Sequence, residues 1–213
     1  MGPVLVSHRR RTIAFSFLSI AALSATVVAT ACDNHHAANG SALGVSGRIG
    51  RLRVDVSKRD AVIAFAGRPA AERRGRSLAA PSPSARYDGL GYGCGRKTDP
   101  DAFPLVADGP LCRTVFFIDA RSGRLGAVYT DDPRYRESHG VRIGMPTAEA
   151  ERLLHRHLRI GCETAIYLRS GRATLTVAFS GGRVQRDGTV IGGHVDAFML
   201  HGLRHDPGVV ECL

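Results

Sequence analysis

Residues 52–69 read LRVDVSKRDAVIAFAGRP, and residues 141–154 read VRIGMPTAEAERLL. At an offset of 89 residues, Leu52-Arg53-Val54-Asp55-Val56 falls on Val141-Arg142-Ile143-Gly144-Met145. Asp60-Ala61 then falls on Glu149-Ala150, and Ala64-Phe65 on Leu153-Leu154. Self-similarity at a fixed offset is the mark of a duplicated unit. Each stretch opens a helix. In the first, Ser57 and Asp60 have the spacing of an S-x-x-D capping box. Val62, Ile63, Phe65 and Ala66 supply an apolar face, and Gly67 and Pro69 stop the helix. In the second, Pro146 and Thr147 mark the start, and Glu149 and Glu151 suit the positive end of the helix dipole. Ala150, Leu153, Leu154 and Leu158 recur at helical spacing.

Strands follow each helix. Arg86 to Cys94 reads as a short glycine-rich strand. Thr114–Ala120 and Leu125–Thr130 flank Arg121-Ser122-Gly123-Arg124, which has the composition of a hairpin turn. Thr164–Arg169 and Ala173–Phe179 flank Ser170-Gly171-Arg172 in the same way. A further strand is expected after Ser180-Gly181-Gly182, and another over Val195–His201. Ala70 to Ala85, rich in Pro, Ser and Arg, reads as a long exposed loop. The expected fold class is α+β, in two related modules over 48–136 and 137–213. Each is a short helical element packed on an antiparallel β-meander.

The two helix-opening segments resemble those of the β-lactamase-inhibitor-like and SmpA/OmlA-like repeats. The resemblance covers two stretches of under 20 residues and the strand order. Asp55 departs from it, standing where the second copy has Gly144, and the second copy lacks the Gly67-Arg68-Pro69 stop. The resemblance implies a non-enzymatic binding scaffold of helices on one face of an antiparallel sheet. Such modules are frequently exported or lipid-anchored, and sometimes occur in tandem.

The amino terminus carries an export pattern. Arg9, Arg10 and Arg11 precede Thr12 to Ala31, a run of 20 uncharged residues that closes on Ala29-Thr30-Ala31. Residues 1–31 read as a signal peptide, and Cys32 follows. That cysteine resembles the acylated cysteine of bacterial lipoproteins, although Ala29 stands where their pattern has Leu. Plain secretory cleavage and an uncleaved membrane anchor are the competing readings. Every reading puts the bulk of the chain outside the cytoplasm, with Cys32 as the lipidation residue and the membrane as one partner. Residues 32–47 are small and polar and read as a flexible tether. His35 and His36 in it read as solvated.

In an oxidising space, Cys94, Cys112, Cys162 and Cys212 imply two disulfides. Of the three pairings, Cys94–Cys112 and Cys162–Cys212 keep each bond within one half of the chain. The formal net charge is +10, or +7 without residues 1–31, and only Lys58 and Lys97 of the basic residues are lysine. The basic residues are scattered and no nucleic-acid motif accompanies them, so nucleic acid is not an expected partner. Lipid headgroups, wall polymers and acidic proteins suit the charge.

Catalytic patterns are weak. His155 and His157 lie two apart on a predicted helix and point to different sides. His194, Asp196 and His201 are the best candidates for a metal-dependent hydrolase, the alternative function. Gly89-Leu90-Gly91-Tyr92-Gly93 is not followed by a helix, which argues against a dinucleotide loop. No cofactor, metal or catalytic residue is assigned. Val115-Phe116-Phe117-Ile118 is apolar on both alternating faces, so one face covers the helices and the other needs a second cover. Tyr92, Phe117 and Arg113 are the candidate partner-binding residues. The expectation is an exported, lipid-anchored, non-enzymatic binding protein of the bacterial cell envelope, recognising another protein through a sheet face.

Overall fold

The computed structural model describes residues 42–74, 86–95, 111–160, 164–186 and 190–204. The leader, Cys32, residues 33–41 of the tether, Cys162 and Cys212 lie outside the described residues. Among the described residues, no helix is long and apolar enough to cross a membrane.

Fourteen elements are described: β1 Ala42–Gly44, β2 Arg48–Ile49, β3 Leu52–Arg53, α1 Arg59–Ala66, β4 Ala71–Arg73, β5 Tyr87–Gly95, β6 Leu111–Asp119, β7 Leu125–Thr130, β8 Arg136–Glu137, α2 Thr147–Leu154, β9 Arg159–Ile160, β10 Thr164–Arg169, β11 Ala173–Val184 and β12 Val190–Gly202. The class is mixed α and β, dominated by antiparallel strands. Eight strands form one continuous antiparallel sheet in the order β4-β5-β6-β7-β12-β11-β10-β9. Its two meanders meet at the β7–β12 seam, where Phe198–His201 pair with Thr130–Ala127. The two halves therefore share one sheet rather than each closing its own. A small second sheet runs β3-β2-β1-β8, with β8 parallel to β1.

Side-chain alternation sorts the large sheet into two faces. The row Leu90–Phe116–Val128–Leu200–Leu175–Leu168 crosses six strands in register. These residues share one apolar cluster with Val62 of α1, Ala150 and Leu154 of α2, and Leu43, Ile49 and Leu52 of the small sheet. That cluster is the main core. The opposite face carries the row Gly91–Val115–Tyr129–Met199–Thr176–Tyr167. Val115, Phe117, Tyr129 and Met199 on it are buried in a second cluster, while Tyr167 at the far end is exposed.

Several expectations need correction. Residues 42–47, read as tether, belong to the fold: Leu43 is fully buried and β1 pairs on both sides. Ala71–Arg73, read as loop, is the edge strand β4. Ser57 does not cap α1. Lys58 is the N-cap and makes no side-chain cap bond, while Ser57 Oγ accepts from the Arg53 backbone N–H at 2.9 Å and closes the preceding turn. Ser180-Gly181-Gly182 is not a hairpin turn, because β11 runs through it to Val184. A side chain at Gly193 would meet the backbone of Ser180 and Gly182, so glycine is required where β12 passes β11 there.

Cys94 and Cys112 stand opposite each other on β5 and β6 and are disulfide-bonded. A bond across 18 residues contributes about 3 kcal/mol, largely by restricting the unfolded chain. The two turns aligned at the outset share a left-handed residue, although their return bonds fall one residue apart in the alignment. Asp55 and Gly144 both have left-handed φ, 62° and 81°. The Asp55 N–H donates to Leu125 O and the Leu125 N–H to Ser57 O, each at 2.7 Å. The Gly144 N–H donates to Val195 O and the Val195 N–H to Met145 O, each at 2.8 Å. Each turn is thus stitched to the last strand of its own half, and each launches a helix of eight residues.

Candidate functional site

The three proposed contact residues do not share a surface. Tyr92 is half-buried on the helix-covered face, where its ring packs edge-on to Phe116 and its hydroxyl donates to Gly67 O at 3.1 Å. Phe117 faces the other way, is 4% exposed, and packs edge-on to Tyr87. Tyr92 packs against the main core and Phe117 lies in the second cluster, so the two do not form one binding face. Arg113 is exposed.

Arg113 belongs to a group of charged residues at one end of the sheet. The Asp131 N–H donates to Arg113 O at 2.9 Å, which sets the two residues on neighbouring strands. Burial pushes the Asp131 carboxyl above its ordinary 3.8; Arg113 opposes this, and Asp196 and Asp132 reinforce it. Asp131 Oδ1 is enclosed and has no hydrogen-bond partner in the protein. Its neighbour is the opposite case. Burial also raises Asp132, but hydrogen bonds from Arg134 outweigh that and hold its carboxyl below 3.8. Arg134 grips it through Nε at 3.0 and 2.9 Å and Nη2 at 2.6 Å. Beneath them, the Thr114 and Thr130 hydroxyls are 2.8 Å apart and buried. The turn after β7 is thereby rigid, and it presents Asp131 beside Arg113 and Asp196. Sequence reading found Arg113 but missed Asp131, whose role depends on which strand end lies beside it.

The described residues place the hydrolase candidates apart on one strand. His194 and His201 are seven residues apart on β12, about 20 Å of extended chain. His194 Nε2 lies 3.2 Å from Ser180 Oγ, and His201 Nδ1 lies 3.0 Å from the Gly202 carbonyl oxygen. Among the described residues, no three His, Cys, Asp or Glu side chains converge as metal ligands would. His155 and His157 also differ from expectation. The helix ends at Leu154, and His155 takes a left-handed φ of 50° as its C-cap. Past that point helical spacing no longer applies, so both histidines line one hollow with Arg156 and Tyr167.

No protein-family model matches the chain. No curated protein matches it either. Among solved structures, the chain is similar to the uncharacterized protein yfeY from Escherichia coli, at 14% identity and a TM-score of 0.44, over 75% of this chain and 99% of that one. At that TM-score the likeness carries no argument about this chain.

At the opposite end of the sheet, four arginines line two hollows. Five connections converge there. They are the turn after β1 with Ser46, the turn after β3 with Arg53, Asp55 and Val56, the β6–β7 hairpin with Ser122 and Arg124, the β10–β11 hairpin with Arg172, and the end of β12 with Leu203 and Arg204. Two adjoining hollows of about 560 and 380 Å³ share Asp55 and Arg204. Arg124 Nη1 donates to Asp55 O at 3.1 Å. A side chain at Gly202 would meet the Asp55 carboxylate, which would have to move aside.

Three tyrosines give the fold a pH limit. Burial pushes Tyr92 and Tyr135 from 10.0 up to about 12, and Tyr129 higher still. The unfolded chain ionises these phenols near 10, while the folded chain holds their protons. Their contribution is therefore complete below pH 10 and is lost as pH rises from 10 towards 12. Melting temperature should fall across that window. Phenolate absorbance near 295 nm should appear together with unfolding for these three residues. Free titration of all five tyrosines at pH 10, with the fold intact, would contradict their burial.

Proposed function

We propose that this chain is an exported, lipid-anchored, non-enzymatic binding protein of the bacterial cell envelope, built as two tandem related α+β modules. The binding reading rests on one observation: the enclosed, unbonded Oδ1 of Asp131, held on a rigid turn beside Arg113 and Asp196. Asp131 is only half-buried, so a donor from a partner can approach its carboxyl group, and an acceptor without a bond in its own protein gains from that. Flanked by an arginine and a second carboxylate, it suits a polar contact from another protein. The recognition surface is thus the sheet end around Arg113, in place of the flat face first expected. The tandem reading is supported by the matching left-handed turns at Asp55 and Gly144, and by the order of the two meanders about the β7–β12 seam. The export reading is supported by the leader and Cys32.

One preparation tests both parts. The full-length chain, expressed in a bacterium with a lipoprotein pathway, is recovered from its membrane fraction. Intact mass should match a chain that begins at Cys32 and carries acyl groups, and Cys32→Ala should leave the membrane fraction. The protein is then used as bait on solubilised envelope beside Arg113→Glu and Asp131→Lys. At least one species should be retained by the wild type and depleted with the variants. Identical captures from all three baits would overturn the assignment of the surface, and an unmodified mass would overturn the anchor.

A further inference from the structure

We propose that the arginine-lined end of the sheet is a membrane-facing surface that binds anionic phospholipid headgroups through Arg53, Arg124, Arg172 and Arg204. This rests on the lipid-anchor reading and names what lies against the anchored protein. Three observations converge. First, the adjoining hollows are lined by four arginines and one acid, Asp55. Arg124, Arg172 and Arg204 come from loops at one end of the large sheet and Arg53 from the end of β3 beside them, an arrangement that lets a flat anionic surface meet them together. Second, Val56 and Leu203, at 55% and 58% exposure, are two of the four exposed large hydrophobic residues described, and both line the same hollow. Exposed aliphatic side chains interleaved with arginine suit a headgroup layer over acyl chains, where arginine meets phosphate bidentately. Third, the described fold starts at Ala42, ten residues after Cys32. Ten residues reach at most about 35 Å, so an acylated Cys32 keeps this domain beside the bilayer. The end bearing Asp131, Asp132 and Asp196 then points away from the membrane, where a partner can approach.

The described residues offer a rival surface. The β11–β12 arm at the other end carries exposed Arg183, Arg186 and Ile191. The test therefore compares both ends. The mature chain from residue 32, with Cys32→Ser so that no acyl group contributes, is sedimented with vesicles. One set is phosphatidylcholine alone; the other contains 30% phosphatidylglycerol, a fraction chosen as about that of an anionic bacterial leaflet. Binding is expected to the anionic vesicles only, and to weaken between low and high salt. Each arginine near such a surface raises partition by about fivefold, so Arg53→Glu/Arg172→Glu/Arg204→Glu should reduce it by at least about a hundredfold. Val56→Ser/Leu203→Ser should reduce it less and leave the salt dependence intact. Arg183→Glu/Arg186→Glu should bind like the parent. Circular dichroism and melting confirm that each variant is folded. Equal binding to both vesicle types, no binding to either, or loss with the arm variant alone would overturn the proposal. Because this protein carries no acyl group, such a result leaves the mass evidence for or against the anchor untouched.

Discussion

Replacing Phe116 with alanine lowers the stability of this protein by about 3–5 kcal/mol, the range for large aromatic deletions in a core. Phe116 is fully buried, second in the row that runs from Leu90 to Leu168. Two rings meet it edge-on: Phe65 of α1 at 6.5 Å and Tyr92 of β5 at 5.5 Å. Such pairs add about 0.5–1.5 kcal/mol beyond area. The site cannot collapse readily, because β6 is hydrogen-bonded to β5 and β7 on both sides and its backbone is not free to move inward. The cavity therefore persists, and persistence is what makes such deletions costly. In urea the transition midpoint should fall with little change in slope. The melting temperature should drop by roughly 10 °C. A loss below 1 kcal/mol would mean that α1 does not pack on this face.

The same residue shows how far the sequence could be read. Alternating apolar faces at Val115–Ile118 were visible, as were both helix starts and the hairpins at Arg121–Arg124 and Ser170–Arg172. These signals are local, a period of two or 3.6 residues or a turn dipeptide, and the strands Leu125–Thr130 and Thr164–Arg169 have the bounds expected. What stayed hidden depends on contacts between distant residues. The small sheet is made of strands of two or three residues, too short to show any period. Its parallel bond of β1 to β8 joins Leu43 to Glu137. The β7–β12 seam likewise fuses two meanders into one sheet, and no local pattern announces it. Assigning Tyr92 and Phe117 to one surface failed for a related reason. Their faces follow from the register Tyr92↔Thr114 and Gly89↔Phe117, which puts them on opposite parities. The arginine-lined end draws on five loops spread from Ser46 to Arg204, and Asp131 gains its meaning only from Arg113 and Asp196 beside it.

Glu137→Ala is expected to cost about 2–4 kcal/mol, although the residue lies on a two-residue strand with no catalytic neighbour. Its side chain is fully buried, which is costly for a carboxylate unless donors surround it. Three do. Ser138 Oγ donates to Oε1 at 2.6 Å, the His139 backbone N–H donates to Oε2 at 2.5 Å, and His139 Nδ1 lies 2.7 Å from Oε1. The backbone of the same turn is bonded too: the Glu137 N–H donates to Val141 O, the Gly140 N–H to Glu137 O, and the Ser138 N–H to Leu43 O. The carboxylate is thus the hub of the turn that docks β8 on β1 and delivers Val141, fully buried, to the main core. Alanine removes the acceptor of all three donors at once, and donors of a partly buried turn left unpaired cost more than the net worth of the bonds themselves. Glu137→Gln keeps one acceptor oxygen but turns an NH₂ toward donors, so its loss should be intermediate. His139 is 56% exposed, so its ion pair with Glu137 is a minor part of the effect. A double-mutant cycle with His139→Ala should therefore give a coupling of about 1 kcal/mol or less, with most of the cost of Glu137→Ala surviving in the His139→Ala background. If Glu137→Ala melts within 1 °C of the parent, the turn is held by its backbone alone and the buried carboxylate has no structural role.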